Sequence, residues 1–439
     1  MEVKDSSSAA LPEPAGRETD DPDTLVIDDF DGYWEAYKYD RMKQSYLGTS
    51  EGLPVLPDES IPEPLLTEAK RFRLTGLNLT VNQLTKGVEL LLKFPTIFSK
   101  NEYDLGCLSN FKCVIDTGDA KPIKCNFRPL PHAKLTALAE QLQQFEKAGL
   151  IRRSQSVWAS AIVMVPKPNG DWRVCQDYRP VNSVALCCQH PIPRIDDMLN
   201  RFLGKRFFSA MDLAKGFHQI PMEESSIPKT AFVTPIGQYE FLRMPFGLHS
   251  APGTFQAAMS QILAGLEHMA LVYVDDVIIF SDTFEQHLLD VEEVFKRLRD
   301  VNLKANPVKC EFFRTSLKYL GFIVSSRGIE TDPKKVEAIK NTSIPSCTME
   351  LETFLGKVGF YSRFIKDYSS IVYPLMRLKL RDAIFQMGEE EIKAFNTLKN
   401  AMCEAPVLEH PDFSKKFFYF HRRFWVCTGS SFVPNSRWG

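Results

Sequence analysis

Three aspartates stand where the neighbouring residues exclude most water. The stretch "LVYVDDVIIF" (271–280) is apolar at eight of its ten positions, with Asp275 and Asp276 adjacent at its centre. The Val, Ile, Tyr and Phe on either side have the composition of short buried strands. Ionised carboxylates are costly to desolvate unless something offsets their charge. Two explanations fit: a two-residue hairpin turn with solvated acids, or a divalent cation held by them. A second acid has a similar setting. In "KRFFSAMDLAKGFHQI" (205–220), Asp212 ends a mostly apolar run, 207–211, that reads as another buried strand. If the strands are neighbours, three carboxylates meet and repel unless cations neutralise them. Ligands of this all-oxygen kind suit magnesium, which keeps waters and substrate phosphates in its remaining positions. Two such ions can activate a 3′-hydroxyl and stabilise a departing pyrophosphate.

The elements around these acids alternate between helix and strand. "KLTALAEQLQQFEKAGL" (134–150) puts Leu135, Leu138, Leu142 and Phe145 on one helical face, with Gly149 as its stop. "AIVMVPKPNGDWRVCQDY" (161–178) reads as a hairpin turning at Asn169-Gly170. "PGTFQAAMSQILAGL" (252–266) is helical and leads into the Asp-Asp stretch. A longer helix follows, with Phe284, Leu288, Val291, Phe295 and Leu298 on one face. Further on, a strand pair around "KYLGFIVSSRGI" (318–329) mixes with helices such as "MELETFLGKVGFYSRFI" (349–365). There is no internal repeat. The fold class is α+β, an antiparallel sheet backed by helices.

The 439 residues have room for two or three domains. No apolar run reaches the roughly 18 residues of a membrane helix, and "MEVKDSSSAALPEP" is not a signal peptide. No membrane association and a cytoplasmic setting are therefore expected. The ten cysteines, none in a CxxC pair and with Cys187 and Cys188 adjacent, read as reduced thiols. The net charge of −2 conceals a split: residues 1–60 carry fifteen acidic and five basic side chains, which leaves about +8 on the remainder. An acidic leader before a basic body suits a polyanionic partner. Residues 1–65 read as mostly disordered, apart from the aromatic segment "YWEAYKY" (33–39), and globular patterning starts near residue 80.

"YVDD" (273–276) downstream of "MDLAKGFHQI" resembles reverse transcriptases, in the wording of gypsy-type long-terminal-repeat (LTR) retrotransposons. The likeness runs from about residue 80 to about 420. It takes in "KFPTIFSKNEYDLG", "WASAIVMVPKPNGDWRVCQDYRPVN", "HPIPRIDDML", "KTAFVTPIGQYEFLRMPFGL", "YLGFIVSSRGI" and "FLGKVGFYSRFI", in that order. It implies a right-hand polymerase of fingers, palm and thumb. The expected layout is a leader at 1–65, an N-terminal extension and fingers at 80–205, and a palm at 206–325 with a fingers insertion at about 222–242. A thumb at 326–385, the start of a connection or ribonuclease H-like domain at 386–420 and a divergent tail at 421–439 complete it.

The resemblance also implies roles. Asp212 and Asp275 would be the principal ligands of two magnesium ions, or of manganese in their place, with Asp276 completing the patch. Phe217 matches the aromatic under the incoming sugar, where the family more often has Tyr. Lys167 and Arg173 flank the fingers turn and would meet the triphosphate of a deoxynucleotide (dNTP). Pro166 and Pro168 stand where relatives often carry further lysines. Phe246 and Gly247 would line the nucleotide pocket, and Gln256 would support the template. His249-Ser250 replaces the usual Thr-Asn. Lys309 matches a lysine near the leaving pyrophosphate, a general acid. Tyr273 would lie at the primer end, and Tyr319, Leu320 and Gly321 belong to the primer grip, whose backbone contacts carry no sequence information. The partners implied are an RNA template, a DNA primer/template duplex and dNTPs, with self-association in a virus-like particle and access to the nucleus.

"VIDTGDA" contains Asp116-Thr117-Gly118, the triplet of aspartic proteases, but it runs into the family's lead-in to the fingers, so protease activity is not expected. "APVLEHPDFSKKFFYF" (405–420) resembles the start of the ribonuclease H-like domain. The sequence then departs to "HRRFWVCTGSSFVPNSRWG", with no acid after Asp412, and ribonuclease H activity is not expected either. The rival to an active polymerase is a silent descendant that still binds nucleic acid or a protein.

Overall fold

A computed structural model describes residues 62–167, 170–186, 190–380, 385–404 and 408. The acidic leader, the "YWEAYKY" segment, Pro168, Asn169, Cys187, Cys188 and the tail after Leu408 lie outside the described residues.

The described residues open on two helices, α1 (Glu63–Arg71) and α2 (Val81–Leu92). Thr80 starts α2 with a reciprocal capping box to Gln83. Leu65, Ala69, Phe72 and Leu74 are buried, so the globular body starts near residue 63 rather than 80. The nine residues of α1 hold too few helical turns for periodicity to stand out. Phe94 and Phe98 then pack edge-on against Phe295.

The fingers contain α3 (His132–Lys147), β1 (Ile151–Arg153), β2 (Ala161–Pro166), β3 (Trp172–Asp177) and α4 (Arg179–Val184). Gly149, at φ +65°, ends the α3 region in the left-handed conformation expected of it. β2 and β3 pair from Ala161↔Asp177 to Pro166↔Trp172, the hairpin read from the sequence. After α5 (Ile195–Leu199) the chain enters the palm as β4 (Phe207–Asp212), then returns as β5 (Phe232–Thr234) and β6 (Gly237–Phe241). β6 pairs with β1, so residues 232–241 join a fingers sheet in the order β1-β6-β5.

The palm adds α6 (Ala251–Ile262), β7 (Ala270–Tyr273), β8 (Asp276–Ser281), α7 (Phe284–Asp300) and β9 (Glu311–Arg314). Its four-stranded sheet runs β7-β8-β4-β9 with every pair antiparallel. β8 is apolar on both faces because both are covered. Val277 and Ile279 enter the core with α6 and α7, while Ile278 and Phe280 enter the core of the thumb side. Burying both faces fixes the register, and with it the position of the acids at the strand ends.

β10 (Ser316–Tyr319), β11 (Phe322–Ser325) and β12 (Gly328–Thr331) form a three-stranded antiparallel sheet. The thumb follows as α8 (Pro333–Lys340), α9 (Thr348–Phe360), α10 (Tyr368–Arg377) and α11 (Glu389–Cys403). Phe354 of α9 meets Phe395 of α11 with ring centres 4.4 Å apart. Residues 389–403, assigned from the sequence to the next domain, thus close the thumb core. No helix among the described residues is long and apolar enough to cross a membrane.

Candidate active site

β7 and β8 pair as far as Tyr273↔Asp276, which leaves Val274 and Asp275 as a two-residue turn. The acids do stand at a hairpin tip. Asp212, the last residue of β4, lies directly opposite Asp276. Val274 adopts φ +52°, a left-handed conformation that a β-branched residue takes only under constraint. The constraint is Gln256 of α6, buried beneath the turn. Its amide donates to the Val272 carbonyl (3.1 Å), and its oxygen accepts from the Val274 N–H (2.8 Å). Gly216 closes the site from the other side. A Cβ there would lie 2.9 Å from Asp275 Oδ1 and 2.9 Å from the Phe255 ring, so only glycine admits the carboxylate.

The electrostatics follow from this crowding. Burial, then the charges of Asp212 and Asp276, push the Asp275 carboxyl up to about 6. Asp212 and Asp276 are also raised, chiefly by burial. Lys309 opposes the rise, with Nζ 3.8 Å from Asp212 Oδ1. Asp275 Oδ1 is buried and accepts no hydrogen bond from any described residue. An oxygen-only donor set with an orphaned carboxylate oxygen fits a hard divalent cation. Among the described residues no three acid, His or Cys side chains by themselves enclose a metal.

An aromatic cluster adjoins the acids. Phe217 is buried between Phe246 (5.1 Å) and Phe255 (5.6 Å). The Arg173 guanidinium stands 5.5 Å from the centre of the Phe246 ring, which brings the fingers hairpin to the palm. Lys167 lies close enough for its charge, like that of Arg173, to bear on Lys215. Gly247, at φ +93°, offers its carbonyl to the Asn182 amide of α4 (2.9 Å), and Asn182 Oδ1 accepts from the His249 N–H (3.1 Å). His249 therefore sits in the seam that joins α4 of the fingers to the 246–250 segment.

Tyr319, Leu320 and Gly321 form the β10–β11 turn. Leu320 (φ +48°) and Gly321 (φ +84°) have the two left-handed residues of a tight hairpin. The Tyr361 hydroxyl donates to the Gly321 carbonyl (2.9 Å), tying the turn to the thumb. Tyr319 is buried close enough to Asp276 and Tyr273 for their charges to act on its phenol. All three aspartates, Lys309, Tyr273 and Tyr319 thus gather at one edge of the palm, with the Phe217, Phe246 and Phe255 cluster adjoining them. Asp116 is not among them. Its carboxylate accepts from the Gly118 N–H (2.9 Å) in a local turn.

Four site residues escaped the sequence reading. Gly216, Lys215 and Gln219 lie in the quoted "MDLAKGFHQI", and Asn182 in "DYRPVN". Gln219 donates to the Ala214 and Lys304 carbonyls (2.8 and 2.7 Å) and fixes the segment after Asp212. A glycine or lysine three or four residues past a candidate metal ligand was the available signal.

The profile of the family described as reverse transcriptase (RNA-dependent DNA polymerase) matches residues 165–324, the fingers hairpin through β11. The chain is 41% identical over 377 residues to the retrovirus-related Pol polyprotein from transposon 297 of Drosophila melanogaster, covering 84% of this chain and 35% of that protein. The corresponding polyprotein from transposon opus of the same organism is 36% identical, over 75% and 34% of the two chains. The transposon Tf2-3 polyprotein of Schizosaccharomyces pombe (strain 972 / ATCC 24843) is 32% identical, over 66% and 22%. The chain spans about a third or less of the length of these curated relatives. Among solved structures, the foamy viral protease-reverse transcriptase in complex with RNA/DNA hybrid superposes with a TM-score of 0.70 at 24% identity, over 83% of this chain and 49% of that one. Its dRH form in complex with dsDNA gives 0.73 at 24%, over 84% and 64%. These structures share the fold. The chain belongs to the reverse transcriptase family of LTR-retrotransposon Pol polyproteins.

Proposed function

We propose that this chain extends a primer 3′-end on an RNA or DNA template with dNTPs. The observation that carries the proposal is the meeting of Asp212, Asp275 and Asp276 at one edge of the palm, with a carboxylate oxygen left unpartnered. Asp212 and Asp275 would hold two magnesium ions, or manganese in their place, and Asp276 adds negative charge beside them. The ions supply charge neutralisation at the attacking and departing oxygens. Phe217 limits the space under the sugar and rejects a 2′-hydroxyl. Lys167 and Arg173 bind phosphate as the fingers hairpin folds inward. Lys309 passes a proton to the leaving pyrophosphate. The 319–321 turn and Tyr273 place the primer, and Gln256 holds the turn against which the template registers. The foamy viral neighbours, solved with RNA/DNA hybrid and with dsDNA, support duplex nucleic acid as the partner. Self-association within a cytoplasmic particle, with access to the nucleus, belongs to the same reading.

Primer extension on poly(rA)/oligo(dT) with dTTP and magnesium tests it. Extension by the wild type that Asp275→Asn abolishes, with duplex binding unchanged, is the expected result. Duplex binding without extension by the wild type would overturn the proposal in favour of a silent binding protein.

A further inference from the structure

Lys215 is a largely buried cation close to the acids to which the reading above gives no task. It lies three residues after Asp212, in a left-handed conformation at φ +44°, and precedes the glycine that abuts Asp275. Its side chain is about three-quarters buried, and its ammonium group contacts two residues of the N-terminal extension. Nζ is 2.7 Å from Glu102 and 4.0 Å from the centre of the Tyr103 ring. The contact loop is itself fixed. The Lys100 N–H donates to Asp104 (2.9 Å), Asp104 pairs with Lys304, and the Tyr103 hydroxyl donates to Gln144 of α3 (2.8 Å).

The charge count around Lys215 is unbalanced. Lys167 and Arg173 from the fingertip act on it with the same sign, and Glu102 is the carboxylate paired with it. Three cations within electrostatic reach of one another, with Arg173 over the Phe246 ring, suit a polyanion of several charges. Glu102 is 62% exposed, and an ion pair with one partner in water is weak and readily exchanged.

Resting on the proposed polymerase reading, we propose that Lys215 binds the triphosphate of the incoming nucleotide and that Glu102 holds its ammonium group when no nucleotide is bound. The carboxylate is then a competitor for the substrate. The Tyr103 ring, 4.0 Å from Nζ, limits where the ammonium group can move.

The two ends of the pair should therefore respond in opposite directions, which a merely structural ion pair would not do. With dTTP on poly(rA)/oligo(dT), Lys215→Ala should raise KM about tenfold with kcat within about twofold, the loss of one charge-assisted contact. Lys215→Arg should restore most of it. Glu102→Gln should lower KM about two- to threefold, and the double variant should behave as Lys215→Ala. Trapping of dTTP by the full chain on a dideoxy-terminated primer gives the same comparison without chemistry. Equal increases in KM from Glu102→Gln and Lys215→Ala would overturn the inference, as would an unchanged KM in Lys215→Ala. Extension by the wild type with those results sinks the Lys215 role alone. Trapping with the expected pattern but no extension sinks the polymerase reading alone, and a wild type that neither extends nor traps dTTP sinks both.

Discussion

Asp212 and Asp276 occupy directly opposed positions on adjacent antiparallel strands, and Asp275 stands in the turn just beyond them. Like charges facing each other on a sheet oppose folding. The raised carboxyl of Asp275 records its burial first and that repulsion second, since the folded protein resists losing the proton that the unfolded chain gives up readily. The sign follows. Below the unfolded value near 3.8 the group costs nothing, and the penalty grows as pH rises toward about 6 and is complete above it.

Metal-free Asp275→Asn should therefore be more stable than the wild type at pH 7, by about 1 kcal/mol once solvent screening is allowed for. Magnesium should raise the melting temperature of the wild type and do so less for the variant. Urea unfolding in chelator and in magnesium checks both. A variant less stable than the wild type in chelator would contradict the account of the acids as mutually repelling.

Gln256→Ala removes both bonds that hold the Val272–Val274 backbone. Two buried backbone groups lose partners, worth about 1–3 kcal/mol of stability. Displacement of Asp275 by even about an ångström should lower kcat about 10- to 100-fold. Because Gln256 is buried below the turn, KM for dNTP should change little. A large KM effect with normal kcat would place Gln256 on the substrate instead.

Phe217 is a core residue packed between Phe246 and Phe255, and the proposed function makes it the wall under the sugar as well. Truncation to Ala would open a cavity and confuse stability with selectivity. Phe217→Val keeps a branched wall and shortens it, so discrimination against ribonucleotides should fall about tenfold or more while deoxynucleotide extension persists. Unchanged discrimination in single-nucleotide incorporation would remove Phe217 from that role.

The three aspartates were legible in the sequence because each adjoins an apolar run, where an unpaired charge needs a reason. Their meeting was not, since it depends on β8 lying beside β4, a pairing between segments more than sixty residues apart. The amphipathic faces of α3 and α7 were readable from spacing, and so was the fingers hairpin. Gln256 stood out only through the family resemblance, and its hold on the turn could not be read, because a polar residue in a helix gives no sign of being buried. His287 and Asp290 share the buried face of α7 with Phe284 and Val291, an arrangement that a hydrophobic pattern hides. The α1 helix was too short to declare itself.

His287 and His218 make the fold sensitive to acid. Both are buried, and burial holds His287 down to about 3 and His218 down to about 4. His287 joins two palm strands through Ser209 (2.8 Å) and Ser281 (2.9 Å). The Ser281 hydroxyl spends its proton on Asp290, so Nδ1 of His287 must be the protonated nitrogen and Nε2 accepts from Ser209. His218 bonds the Met244 carbonyl through Nδ1 (3.1 Å) and is pressed by the charges of Lys215, Arg173 and Arg243. The unfolded chain protonates both near 6.5, and the folded protein resists until near 4 or below. Stability is therefore present above 6.5 and falls as pH drops through that value, by about 1.4 kcal/mol per pH unit for each histidine. At pH 5 the two together should cost about 4 kcal/mol relative to pH 7, against the smaller opposite contribution of Asp275. Urea unfolding at pH 7, 6 and 5 should show this decline, and His287→Gln should flatten roughly half of it whatever its effect at pH 7. A stability profile level from pH 7 to 5 in the wild type would show that these imidazoles take up protons freely in the folded state.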